Sequence, residues 1–252
     1  MSRPHSIILL ALALLLTAHS ADAAALTTGT CLAMKRNAWG NLRKCQAAQE
    51  SNLLKGKTAD LAKCQTSFQD KIAKISAKAT DGAVACRYAD NGDGTVTDYD
   101  TGLQWEKKNG FGGGENLANA HDVDNIYSWN GDNPTGSTPS GTAFTDFLGR
   151  LNTCTAGGGL QFQLTGFAGH CDWRLPSLTE LQSILLAPQP CPTTPCINLI
   201  FGPTGSASYW SATSEVDHPT SAWSEYFGNA GGGTGTGSKN ILLRVRAVRR
   251  SF

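Results

Sequence analysis

Two stretches in the first third of the chain carry apolar residues at helical spacing. Leu61, Cys64, Phe68, Ile72 and Ile75 recur every three or four positions, and Trp39, Leu42 and Cys45 mark a second, shorter stripe. Ser51, Asn52 and Gly56 break the pattern between them, which predicts a helical hairpin. Beyond residue 82 the period shortens. Arg87-Tyr88-Ala89 runs into the turn Asn91-Gly92-Asp93-Gly94, and Thr95-Val96-Thr97 returns as a partner strand. A second turn at Asp100-Thr101-Gly102 feeds Leu103-Gln104-Trp105. The stretch 110–141 reads mostly as loop. Ala143 to Leu151 reads as a short helix with Phe144, Phe147, Leu148 and Leu151 on one side. Ser177-Leu178-Thr179-Glu180 is a capping box after Pro176, so a helix starts there and runs to about Leu186. Tyr209–Ala212 and Ala222–Tyr226 read as strands. In a closing strand, Leu243, Val245 and Ala247 face one way, and Arg244 and Arg246 the other. The whole is an α+β pattern of short strands and long loops, preceded by a helical hairpin.

The start of the chain changes where this fold is expected to work. Arg3 and His5 precede an apolar run from Ile7 to Leu16, and Ala21-Asp22-Ala23 is an A-x-A cleavage site. This is the form of a secretory signal over residues 1–23, and the apolar run is short for a membrane span. The expected units are therefore the signal at 1–23, the hairpin at 24–82 and a larger domain at 83–252. No further long apolar run follows, so no transmembrane segment is expected after cleavage. The protein is expected to be periplasmic or extracellular.

All eight cysteines, at 31, 45, 64, 86, 154, 171, 191 and 196, lie beyond the cleavage point. An even count in an exported chain reads as four disulfides. Cys45 and Cys64 lie almost equally far from the hairpin midpoint, so a bond between them would staple the helices. Cys31 and Cys86 would then close the open end. This pairing rests on symmetry, since four cysteines allow three connectivities.

Formal net charge is +1, yet it is unevenly spread. Residues 26–88 hold eleven Lys/Arg against four Asp/Glu, residues 89–230 four against fifteen, and residues 231–252 five against none. The segregation marks two units and a basic C-terminal edge. Lys35, Lys44, Lys57, Lys63, Lys71, Lys74 and Lys78 are expected on an outer hairpin face that could meet an anionic polymer or lipid. No nucleic-acid partner is expected for an exported protein.

Several blocks resemble one family. They are Asp90 to Asp98 with Thr101-Gly102-Leu103-Gln104-Trp105; Asp172-Trp173-Arg174-Leu175-Pro176-Ser177 with Glu180-Leu181; Cys196-Ile197, Phe201-Gly202-Pro203 and Tyr209 to Thr213; and Val245 to Arg249. The blocks, in this order over about 87–250, are similar to the Lcl C-terminal-like domain, named after the C-terminal domain of a bacterial collagen-like adhesin. The resemblance implies a C-type-lectin-like fold, a group that includes sugar binders and formylglycine-generating enzymes. The namesake binds sulfated glycosaminoglycans through an architecture with a collagen-like stalk, and this chain has no Gly-X-Y repeat. Ala247 stands where the family often has a cysteine. Within this domain Cys154–Cys171 would pin a loop before the capped helix, and Cys191–Cys196 would close a small Pro-rich loop. Trp105, Trp173, Trp210 and Trp223 are expected in the core rather than as glycan-stacking platforms.

Candidate chemistry is sparse. Asp90, Asn91, Asp93, Asp98 and Asp100 crowd one hairpin and offer hard oxygen ligands for Ca²⁺. The EF-hand template fails there, because Ala89 falls at its first position, and turns favour the same residues for backbone reasons. Trp129-Asn130-Gly131-Asp132 only partly matches a Trp-Asn-Asp sugar-site motif. Gly232 to Lys239 lacks the lysine of a phosphate loop, with Ser238 in its place, and reads as a flexible surface loop. There is no G-x-S-x-G or H-E-x-x-H, and no thiol after Cys196. An enzyme is therefore not expected. The pattern points to an exported binding or adhesion module for a carbohydrate or cell-surface protein, presenting the loops 110–141 and 214–239. Lys239, Arg244, Arg246, Arg249 and Arg250 are the candidates for an anionic glycan, since Arg pairs with planar anions. The alternative is a structural or assembly component of the envelope acting through the hairpin, whose apolar stripe could also form a homo-oligomer.

Overall fold

The computed structural model describes residues 26–81, 85–110, 112–131, 138–154, 166–186, 191, 193–228 and 233–251. The expected signal at 1–23, the junction at 82–84, Asp132 and Gly232 lie outside them.

Thr28–Leu54 (α1) and Leu61–Asp81 (α2) form the expected hairpin. The Thr27 hydroxyl accepts a hydrogen bond from the Thr30 amide at the start of α1, and Asp60 accepts one from the Lys63 amide at the start of α2. Gly56, at φ +69°, makes the turn. The seam is built from Ala38 and Leu42 against Cys64, Phe68 and Ile72, with Trp39 and Phe68 ring centres 4.2 Å apart. Leu61 lies off this seam at 44% exposure, because it begins α2 beside the turn. Cys45–Cys64 staples the helices and Cys31–Cys86 closes the other end, as expected from symmetry. Cross-links spanning 19 and 55 residues disfavour the unfolded chain by about 3 and about 4 kcal/mol on the chain-entropy view.

The body is α+β. Tyr88–Asp90 (β1), Thr95–Asp98 (β2) and Leu103–Glu106 (β3) form an antiparallel meander, and Val248–Arg250 (β9) adds to β3. Tyr127–Ser128 (β4) pairs with Leu242–Leu243 (β8). Ser208–Ser214 (β5), Ser221–Tyr226 (β6) and Gly233–Ser238 (β7) make a third sheet. The expected closing strand is therefore two short strands, β8 and β9, in different sheets. The helix at Ala143 opens as a π-turn to Leu148 and continues as Gly149–Leu151 (α3). Leu178–Ser183 (α4) carries the complete capping box, ending three residues earlier than expected.

Two expectations about loops are corrected. Gly233–Ser238 is a strand, because each of its residues pairs with β6 in continuous register. Of the described part of 110–141, residues 112–118 are exposed as expected, but Val123, Asn125, Tyr127, Trp129 and Asn130 are buried.

Two apolar cores fill the body. One gathers Tyr127, Trp129, Phe147, Trp173, Trp210 and Val245, the other Val96, Trp105, Leu181, Phe201, Tyr209 and Val248. Three indoles bury their rings and still donate: Trp129 to Ser211 O at 2.9 Å, Trp210 to Tyr127 O at 3.0 Å and Trp173 to Phe167 O at 2.9 Å. Trp223 is only half-buried, on β6. Cys154–Cys171 and Cys191–Cys196 are bonded, which completes the four disulfides.

The hairpin is docked on the β2–β3 turn. Trp39 donates to Tyr99 O at 3.0 Å, and Arg36 reaches the Tyr99 hydroxyl at 3.1 Å. Lys35 is paired with Asp100 and is 1% exposed, so it belongs to this interface and not to the outer lysine face. Gly102 makes the close approach feasible. Its φ is +70°, and a Cβ there would lie 2.3 Å from the Trp39 ring.

Candidate functional site

The basic C-terminal segment is largely inside the molecule. Lys239 is fully buried, donating to Pro219 O at 2.7 Å with its ammonium 4.1 Å from the Trp129 ring centre. Arg246 is also 0% exposed. Its guanidinium donates to Glu106 O, Phe201 O and the Thr204 hydroxyl, so it ties the end of β3 to the segment holding Phe201 and Thr204. Arg244 donates to Val123 O at 2.8 Å and pairs with Asp124 at 3.1 Å. Arg249 bridges Asp172 and Gln104. Burial closes Lys239 and Arg246 off from the glycan contact expected of them, while Arg244 and Arg249 are only partly covered and already engage Asp124 and the exposed Asp172. Arg250 alone of the five is exposed.

The acidic hairpin is dispersed in the same way. Asp98 is buried and takes a bidentate bond from Arg87. Asp100 pairs with Lys35 and Asp90 with Lys107. Asp93 accepts from the amide and hydroxyl of Thr95, while the Asn91 amide donates to Thr95 and Thr97. The carboxylates expected to hold Ca²⁺ thus point to separate cations and turn amides. Among the described residues no group of three or more His, Cys, Asp or Glu could hold a metal ion.

A buried charged cluster organises the centre. Glu106 accepts from Lys108 at 2.8 Å, from His121 at 2.9 Å and from the Ala247 amide at 3.0 Å. Burial alone would raise its pKa, but the charges and hydrogen bonds of Lys108 and His121 outweigh it and hold the carboxyl at about 2. Burial pushes Lys108 below an ordinary lysine, with Glu106 opposing.

Open chemistry gathers where hairpin and body meet. A cleft of about 410 Å³ is walled by Trp39, Leu42, Arg43, Gln46 and Gln65 on one side. Thr101, Gly102, Leu103, Thr179, Glu180, Ser183 and Arg250 form the other. Docking of Trp39 on Gly102 sets its floor, and β9 and α4 deliver Arg250 and Glu180. Glu180 is not an open carboxylate. Arg174 holds both its oxygens, at 2.7 and 2.6 Å, and the Ser177 amide donates to it as well. Burial would raise the Glu180 pKa, but Arg174 and Ser177 together pull it below the usual range. The cleft therefore presents two guanidinium groups, two carboxamides and three hydroxyls around an indole. Arg43, Gln46 and Gln65 were not legible as site residues, since nothing in their spacing announces a partner wall drawn from three distant parts of the sequence.

Comparison with known proteins bears on half of this cleft. The family described as the Lcl C-terminal domain matches residues 94–249. The chain belongs to this family. No curated protein and no solved structure matches it. The Lcl C-terminal domain supplies Thr101, Gly102, Leu103, Thr179, Glu180 and Ser183 to the cleft, and Arg250 lies one residue past the match. The other wall comes from the hairpin, which the match does not cover. One wall of the cleft thus comes from the Lcl C-terminal domain and the other from a segment outside the match.

Proposed function

We propose that the protein is an exported binding module of lectin-like build that holds an acidic glycan end group in the cleft between its hairpin and its Lcl C-terminal domain. The observation that carries this reading is electrostatic. The exposed Arg250 lines the cleft together with Arg43, and Glu180, the one carboxylate among its described lining residues, is held by Arg174. A planar carboxylate or sulfate suits guanidinium groups, and Gln46, Gln65 and Thr179 offer neutral donors and acceptors for sugar hydroxyls. Trp39 adds a flat apolar wall. The volume falls in the range of small-ligand sites. Four disulfides fit an oxidising compartment, in keeping with the signal read at residues 1–23.

A glycan array of the oxidised mature protein, read with and without Ca²⁺ at low and physiological salt, tests this. Binding to uronic-acid or sulfated glycans, weakened by salt and by Arg43→Ala or Arg250→Ala, is the expected result. Ca²⁺-dependent binding indifferent to both substitutions, or no binding, would overturn it.

A further inference from the structure

The face of the hairpin away from the Lcl C-terminal domain carries a second concavity that the cleft reading leaves unused. Met34, Asn37 and Asn41 of α1 and Lys71, Lys74, Ile75 and Lys78 of α2 enclose about 540 Å³. A smaller, more enclosed concavity of about 70 Å³, sharing Asn41 and Lys71, reaches the Cys45–Cys64 staple. The groove thus follows α1 from Met34 to Cys45, which at about 1.5 Å per residue is about three helical turns. Its floor is apolar, with Ile75 buried and Met34 partly exposed. Its rail is cationic, because positions 71, 74 and 78 fall on one face of α2. None of the Lys71, Lys74, Lys78, Asn37 or Asn41 side chains has a hydrogen-bond or ion-pair partner among the described residues.

From this geometry we infer that the groove docks an acidic amphipathic helix of a protein partner, which would complete a three-helix bundle with α1 and α2. A second copy of this chain is disfavoured on the same face, since its own groove offers lysines and asparagines and no carboxylate to meet the lysine rail. A glycan is a poorer fit to an apolar floor without an aromatic plane. An amphipathic helix satisfies both features, its apolar seam on Met34 and Ile75 and its glutamates against the lysines.

The test uses the oxidised full-length mature protein and a fluorescent peptide of about 20 residues, a leucine seam flanked by glutamates. A matched peptide has glutamine in place of glutamate. Saturable binding of the glutamate peptide is expected. The combined substitution Lys71→Gln, Lys74→Gln and Lys78→Gln should weaken it about tenfold, as three partly screened ion pairs would. The charge-matched control Lys44→Gln, Lys57→Gln and Lys63→Gln, off the groove, should leave it within about twofold on the same scale. Equal binding of both peptides, equal loss in both triple variants, or no binding would overturn the inference. So would preference of the same three lysines for a sulfated polysaccharide or for anionic vesicles. The cleft is untouched by these changes, so glycan binding by the triple variant reports separately on the cleft.

Discussion

Glu106 holds its negative charge in the centre of the body because Lys108, His121 and the Ala247 amide surround it. Its pKa falls from an ordinary glutamate value of 4.5 to about 2, so the folded state binds this proton less tightly than the unfolded chain. The stability it contributes is present above about pH 4.5 and drains away as pH falls toward about 2. Glu106→Gln should cost about 3–5 kcal/mol near neutral pH, because it leaves Lys108 buried without its counter-charge. The variant should also lose stability less steeply on acidification, and urea unfolding across the acid range checks both effects. Arg246→Ala should likewise unfold the body rather than abolish a surface contact, detected as a lowered thermal midpoint with or without any glycan. Side-chain depth explains what could be read beforehand. Tryptophans 105, 173 and 210 were legible as core from ring size alone. The alternation of Arg244 and Arg246 with Val245 and Ala247 was legible too, but period two assigns sides and not depth. Here both sides are covered, and backbone carbonyls far away in sequence take the guanidinium bonds.

At the scale of elements, the hairpin, its two disulfides and the capped helix α4 follow from local signals: apolar spacing, symmetric cysteines and Ser177 with Glu180. Strand β7 does not. Its Gly-Thr alternation has no apolar face, and only its register with β6 makes it a strand. Lys35 did carry a signal. It lies four residues after Cys31 and three before Ala38, on the buried side of α1, where a lysine requires an acidic partner. Asp100, 65 residues on, could not be named from sequence. The Trp39–Gly102 contact makes a sharp prediction. Gly102→Ala should loosen the hairpin from the body, because both the added methyl and the positive φ oppose the native approach. Hydrogen exchange should rise in the β2–β3 turn and along the docked face of α1. The body core, which Trp39 does not enter, should keep its protection.

At the scale of the molecule, an acidic body bears a basic hairpin, and the pair presents two surfaces. One is the cleft shared with the Lcl C-terminal domain, the other the outward groove that belongs to the hairpin alone. Family membership was legible in the ordered blocks of sequence, whereas the cleft was not, since it exists only once Trp39 has seated on Gly102. The central claim is that this cleft is the ligand site, and the tryptophans allow it to be read directly. Of the six in the chain, Trp39 alone lines the cleft. Titration of a uronic-acid oligosaccharide into nitrogen-15-labelled protein, followed through the indole N–H signals, is the decisive measurement. The account predicts a saturable shift of the Trp39 signal that Arg250→Ala abolishes, with the signals of Trp105, Trp129, Trp173 and Trp210 unmoved. A silent Trp39 signal, or a shift centred on Trp223 and the β5–β6–β7 sheet, would contradict it.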